Sequence, residues 1–286
     1  MQSIVATHRI EDTNIAMAAA ADTAATVAAA VGLSGSTAAL PLDGRVAIVT
    51  GASRGIGRAI AAHLSSLGAS VVLGYASSAA EADALAAELP RAVAVRADVS
   101  DEASVRSLFD AAESAFGCAA PHILVANAGV VDDKYPSLAD TTTADFDRTF
   151  AVNTRGAFLC LREAANRLPR GGGGRIVAMT TSVVGSLRTG YSAYTASKAA
   201  VEAMVRTMAK ELKGARITAN CVAPGPTATD MFFAGKSDET VRVTAETNPM
   251  ERLGEVGDIA PVVGFLCTDA AEWVNGQVIR VNGGYV

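Results

Sequence analysis

The sequence predicts a doubly wound α/β fold: one parallel sheet with helices packed on both faces. Three observations carry this. From Gly44 onward, short and nearly continuous apolar runs alternate with longer segments of helical period. A glycine-rich turn joins the first such run to the first such helix. The chain has 286 residues, half of them hydrophobic, which is enough for one large domain with a well-buried core. Strands that are apolar throughout belong to sheets covered on both sides, and strand–helix alternation makes such sheets parallel.

The elements follow in order. "RVAIVT" is a strand, and "GRAIAAHLSSLG" is a helix closed by Gly68. The strand "SVVLGY" precedes an alanine-rich helix near 79–89. "AVAVRADV", a helix near 101–116 and "HILVANAG" continue the rhythm. A long helical pattern over 143–168 leads to "GRIVAMTTS", and another from 192 to Gly214 leads to "RITANCVAPG". A loop-rich stretch, 226–250, then gives way to a short helix around "DIAPVVGFLCT" and a last strand, "QVIRVNGG". That makes seven strands in one domain, 44–286, with no internal repeat.

Residues 1–43 stand apart. "AMAAAADTAATVAAAVGLSGSTAALP" is alanine-rich and lacks an amphipathic period. Asp22 and the weak apolarity of alanine exclude a membrane span. The stretch holds one arginine, Arg9, with Glu11 and Asp12 close behind, whereas transit peptides are rich in Arg and poor in acids. The reading is a disordered leader on a cytoplasmic protein, with a plastid signal as the alternative. A net charge of −5 gives no basic surface for nucleic acid or anionic membrane. Cys118, Cys160, Cys221 and Cys267 lack CxxC spacing, and His8, His63 and His122 are scattered, so no disulfide framework or metal site is expected.

In such folds ligands bind beyond the carboxyl ends of the strands, where strand order reverses. "VTGASRGIGRAI" lies at such an end. Gly51, Gly55 and Gly57 let the backbone turn tightly and approach a pyrophosphate, whose charge is favoured at a helix N-terminus; Thr50, Ser53, Arg54 and Ile56 complete the loop. The spacing, TGxxxGxG, differs from the general GxGxxG. An acid at the end of the second strand would bind the ribose of NAD and repel a 2′-phosphate. That end reads Gly74-Tyr75-Ala76-Ser77-Ser78, with no acid before Glu81. Arg54 can meet the phosphate with a charge-assisted fork. The expected cofactor is therefore NADPH/NADP+, with Tyr75 and Ser77 beside it.

"YSAYTASK" holds two tyrosines, and helical spacing separates them. Residues four apart share a helix face, so Tyr194 has Lys198 one turn away, while Tyr191 has the uncharged Thr195. A Lys–tyrosinate pair at roughly 6 Å and an effective dielectric near 20 gains about 2.8 kcal/mol. This equals about 2 pK units and predicts a phenol near 8 rather than about 10, ready to exchange a proton with an alkoxide. Ser182, twelve residues earlier and just past a strand, offers a hydroxyl for the substrate oxygen.

These residues together resemble the short-chain dehydrogenase/reductases. The resemblance spans 44–286 and rests on TGASRGIG, Asp98-Val99, Asn127-Ala128-Gly129, Asn153, Ser182, YTASK, Pro224-Gly225 and "GQVIRVNGG". Within the family the chain is most similar to plant NADPH-dependent aldehyde-reductase-like proteins, partly through "DMFFAGKSDE"; "TTSVVG" is also similar to 3-oxoacyl-acyl-carrier-protein reductases. The resemblance implies that Asp98 bonds the adenine and Val99 lines its pocket. It implies that Asn127 and Gly129 line the cofactor, that Lys198 bonds the nicotinamide ribose, and that Asn153 holds a water relaying protons to Lys198. Pro224, Gly225, Thr227 and Thr229 then fall beside the nicotinamide. Ala126 departs from the family's usual NNAG. A homodimer or homotetramer built on the helices near 143–168 and 192–213 is also implied.

The expected activity is NADPH-dependent reduction of a small-molecule aldehyde or ketone, with Tyr194 as acid and Ser182 on the carbonyl oxygen. A 3-oxoacyl-thioester reductase and a non-catalytic NADP-binding regulator remain as alternatives. Met231, Phe232 and Phe233 in the loop-rich stretch, and Tyr135 opposite, are expected to frame the substrate.

Overall fold

The structure, a computed structural model, describes residues 39–286. The expected disordered leader lies, up to residue 38, outside the described residues. Packing begins ahead of Gly44, because Leu42 is completely buried and its N–H donates to the Leu67 carbonyl at 2.8 Å.

Seven parallel strands form one sheet in the order β3-β2-β1-β4-β5-β6-β7. They are β1 (Val46–Thr50), β2 (Ser70–Tyr75), β3 (Ala92–Arg96), β4 (Ile123–Ala126), β5 (Gly174–Met179), β6 (Ile217–Pro224) and β7 (Val278–Val281). The chain starts at the centre, winds outward through β2 and β3, and returns to lay β4 on the other side of β1. Strand order therefore reverses between β1 and β4, which opens a crevice at their carboxyl ends.

β1 is buried along its whole length, and alternate residues serve opposite faces. Val46 and Ile48 join one core with Leu108, Phe109, Leu159, Val201 and Val205. Ala47 and Val49 join the other with Ile60, Leu64, Ile259 and Val263. The first core is covered by α3 (Glu102–Phe116), α5 (Ala157–Arg167) and α7 (Ser192–Glu211); the second is covered by α1 (Gly55–Ser66) and α10 (Val256–Cys267). α2 (Ala79–Glu88) packs beside β2 and β3.

Helix ends follow local chemistry. Asp101 caps α3 through the Ser104 N–H at 2.8 Å, and Gly117 ends it in the left-handed region. At α10, Asp258 reaches back to the Glu255 N–H at 2.7 Å. α1 and α10 touch closely at Gly264, where a β-carbon would lie 2.5 Å from the His63 ring.

The segment expected as one helix over 143–168 is three pieces: α4 (Thr143–Phe150), a π-helical turn (Ala151–Gly156) and α5. The extra residue in that turn points Asn153 inward, and it is completely buried. The stretch 226–250 holds α8 (Asp230–Phe233) and α9 (Asp238–Glu246), capped by Thr229 and Ser237. A short α6 (Val183–Ser186) follows β5. No helix among the described residues is long and apolar enough to cross a membrane.

Candidate active site

A cleft of about 510 Å³ opens over the carboxyl ends of β1, β4, β5 and β6, where strand order reverses. Its floor begins with the glycine loop. Gly51 and Gly55 take φ of 64° and 55°, which favours glycine. A β-carbon on Gly57 would sit 2.2 Å from the Gly51 carbonyl, so only glycine lets the loop close on the helix. Thr50 locks this loop to the next: its hydroxyl accepts the N–H groups of Asn127 and Ala128 at 3.0 Å each. In return, the Asn127 amide donates to the carbonyls of Thr50 and Gly51 at 2.9 and 3.1 Å.

α1 starts without a side-chain cap and with no acid in its first turn, so its leading N–H groups stay open to an anion. This is the cradle a dinucleotide pyrophosphate needs, and the residues present fit NADP(H). Gly51, Ser53, Arg54, Gly55, Ile56 and Gly57 all border the cleft, and so do Tyr75 and Ser77 at the end of β2. Arg54 is 69% exposed, with one guanidinium nitrogen 3.6 Å from Asp230 on α8. Asp98 and Val99 line the same side; the Asp98 carboxylate accepts the Ser100 N–H and hydroxyl at 2.9 and 2.8 Å. Gly129, Pro224, Gly225, Thr227 and Thr229 complete the wall. Gly225 is pressed on the residue that follows β7, where a β-carbon would lie 2.7 Å from that of Asn282.

Among the residues singled out in the sequence, Thr50 and Phe233 do not border the cleft, and neither does Asn153. Its side chain makes three hydrogen bonds. Oδ1 accepts the Val130 N–H at 2.8 Å, while Nδ2 donates to the Val130 carbonyl at 2.8 Å and to Ser197 Oγ at 3.1 Å. Asn153 thus clamps the loop after β4 onto α7, with both amide N–H groups committed and one lone pair of Oδ1 still open. Gly129 sits over the clamp, because a β-carbon there would lie 3.2 Å from Lys198 Nζ and 3.3 Å from Asn153 Oδ1.

Tyr194 and Lys198, one turn apart on α7, both face the cleft. The expected lowering of the phenol by the lysine is not what the site produces. Burial dominates and pushes Tyr194 up to about 12, with a hydrogen bond from the Thr181 side chain pulling the other way. Burial also pushes Lys198 down to about 8, and its ammonium donates to the Met179 carbonyl at 2.9 Å. For each group the loss of water on burial is the dominant effect.

Ser182 borders the cleft, yet its hydroxyl turns away. It is 1% exposed, donates to the Ala223 carbonyl at 2.9 Å and accepts from Asn282 Nδ2 at 3.0 Å. The side chain that pulls the phenol down against burial is Thr181, which the sequence reading passed over and which also borders the cleft. Thr181 Oγ1 accepts the Val183 N–H at 3.2 Å, which leaves its O–H to donate. The signal was present in "MTTSVVG": Thr181 is also a hydroxyl residue just past a strand, but which of two neighbours faces the cleft depends on backbone rotation. Tyr135, Arg188, Tyr191, Phe232 and Lys236 form the remaining wall beside Tyr194.

A family model described as enoyl-(acyl carrier protein) reductase matches residues 51–286. The chain is 60% identical over 260 residues to an NADPH-dependent aldehyde reductase-like protein, chloroplastic, from Arabidopsis thaliana, covering 86% of this chain and 96% of that one. It is 56% identical over 255 residues to a short-chain type dehydrogenase/reductase of Picea abies, covering 86% and 93%. Among solved structures it resembles a short chain dehydrogenase from Burkholderia cenocepacia in complex with NADP, with a TM-score of 0.78, 36% identity and coverage of 85% and 98%. With these relatives and this cleft, the chain belongs to the short-chain dehydrogenase/reductase family.

Proposed function

We propose that this protein reduces aldehydes or ketones with NADPH, and that Tyr194 supplies the proton. That it is an NADP(H)-dependent oxidoreductase acting on C=O or C–OH groups accords with relatives named NADPH-dependent aldehyde reductases and a structural neighbour bound to NADP. The observation that carries the finer reading is a phenol that keeps its proton at neutral pH, beside a donor hydroxyl and a buried cation in the cofactor cleft.

Bound NADPH supplies a hydride to the carbonyl carbon. The chain's residues do the rest. The glycine loop and the open N-terminus of α1 hold the pyrophosphate, and Arg54 takes the 2′-phosphate. The O–H groups of Tyr194 and Thr181 grip the carbonyl oxygen. A phenol near 12 donates readily, because a developing alkoxide is a far stronger base than tyrosinate. Lys198, cationic at pH 7 with its pKa near 8, then stabilises the tyrosinate. Asn153 acts as a positioning residue by fixing the loop against which the lysine rests, and Ser182 ties the segment after β5 to Ala223 on β6 and to Asn282.

The relatives named chloroplastic favour the plastid over the cytoplasm for this chain. Phe146 on α4 and Phe158 on α5, 39% and 43% exposed, favour self-association along this helix pair.

The test is NADPH oxidation by purified protein with aldehydes, ketones, a 3-oxoacyl thioester and an enoyl thioester. Turnover of aldehydes or ketones is expected. Turnover of the enoyl thioester alone, or none at all with NADPH still bound, would overturn the reading.

A further inference from the structure

Two cations share the corner of the cleft beside Tyr194, with no acid to match them. Arg188 and Lys236 both border the cleft, and each lies 5.9 Å from the centre of the Tyr191 ring. Among the described residues the Arg188 guanidinium makes no hydrogen bond and no ion pair. The Lys236 ammonium donates to the Tyr135 hydroxyl and to the Phe232 carbonyl, the latter at 2.6 Å, which leaves one N–H uncommitted. The acids that border the cleft are Asp98 and Asp230. Asp98 is tied to Ser100, and Asp230 lies beside Arg54. Asp133 is near enough to act on the Tyr135 hydroxyl but does not border the cleft.

Like charges gathered on a half-buried wall repel, and the strain shows in the lysine. Burial first and Arg188 second push it down to about 8. An anion between the two cations would relieve both. The wall around them is flat and aromatic. Tyr135 and Tyr191 are 4.9 Å apart, and Lys236 lies 4.7 Å from the centre of the Phe232 ring. Tyr191 in turn is 6.2 Å from Tyr194, so this corner lies about one aromatic ring from the proton donor. Of the three apolar residues expected to frame the substrate, Met231 and Phe232 border the cleft and Phe233 does not.

We infer that Arg188 and Lys236 form a carboxylate-binding subsite, so that the substrate is a carbonyl compound bearing a carboxylate across a flat, aromatic-sized frame. This rests on the carbonyl-reductase reading, and the experiment separates the two. Calorimetry would compare 4-(hydroxymethyl)benzoate with its neutral isostere, 4-methylbenzyl alcohol, on protein saturated with NADP+. The carboxylate should bind about tenfold tighter or more, as a charge-assisted contact requires. That ratio should fall to about threefold or less in Arg188→Met and in Lys236→Met, and in wild type at high salt. Equal affinity in the wild type would overturn the subsite. So would variants that weaken both ligands alike, since the side chains would then only support the wall. In parallel, kcat/KM would be measured for 4-carboxybenzaldehyde and 4-methylbenzaldehyde. A binding preference without reduction of either aldehyde leaves the subsite standing and removes the carbonyl reading.

Discussion

Thr181 and Ser182 are neighbours with similar hydroxyls and opposite surroundings. Thr181 acts on the phenol from the cleft wall, whereas Ser182 is spent between Ala223 and Asn282. Thr181→Val should therefore lower kcat by about a hundredfold, on the scale of a lost oxyanion donor, and Thr181→Ser should recover most of it. Ser182→Ala should leave kcat within about threefold and instead lower stability by about 1 kcal/mol, because the Ala223 carbonyl loses its partner. Steady-state kinetics and melting curves on the three variants check this, and the reverse ranking would remove Thr181 from the mechanism. Tyr194 and Lys198 were legible from spacing alone. Their proton affinities were not, because i,i+4 geometry reports attraction and says nothing of the water each group loses on burial.

Among the elements, the strands were the most legible, since a strand buried on both faces is written as an unbroken apolar run. The glycine loop was equally clear: glycine at 51, 55 and 57 meets a steric demand that the backbone then shows. The π-turn at Ala151–Gly156 was hidden, because one extra residue shifts the helical period by less than the spacing of apolar side chains reveals. Yet that turn carries Asn153 to Val130 and Ser197. α9 was read as loop even though Ser237 caps it and Asp238 and Glu239 occupy its first turn. Its only buried residue is Thr244, so its sequence lacks an apolar stripe.

For the molecule as a whole, parallel strands followed from the alternation of elements, but strand order is a property of tertiary packing that only the structure supplies. The global cost of the site can be measured. Lys198 has a folded pKa of about 8, below its ordinary 10.5. Below pH 8 it is charged in both the folded and unfolded states, and the burial penalty is fully present. Between about 8 and 10.5 only the unfolded state keeps the proton, so stability from this group rises with pH. The shift corresponds to about 3 kcal/mol. Lys198→Met should therefore melt higher than wild type at pH 7, and the gap should narrow by pH 10. A variant that melts lower at pH 7 would show that the bond to Met179 outweighs burial.

The central claim is that one phenolic proton completes the reduction. The most direct measurement is the kcat of Tyr194→Phe on a carbonyl that the wild type reduces, taken together with its affinity for NADPH. Loss of more than about a hundredfold in kcat, with NADPH affinity within about twofold, is the predicted result. A variant that binds NADPH normally and keeps more than about a few per cent of the wild-type rate would contradict the account.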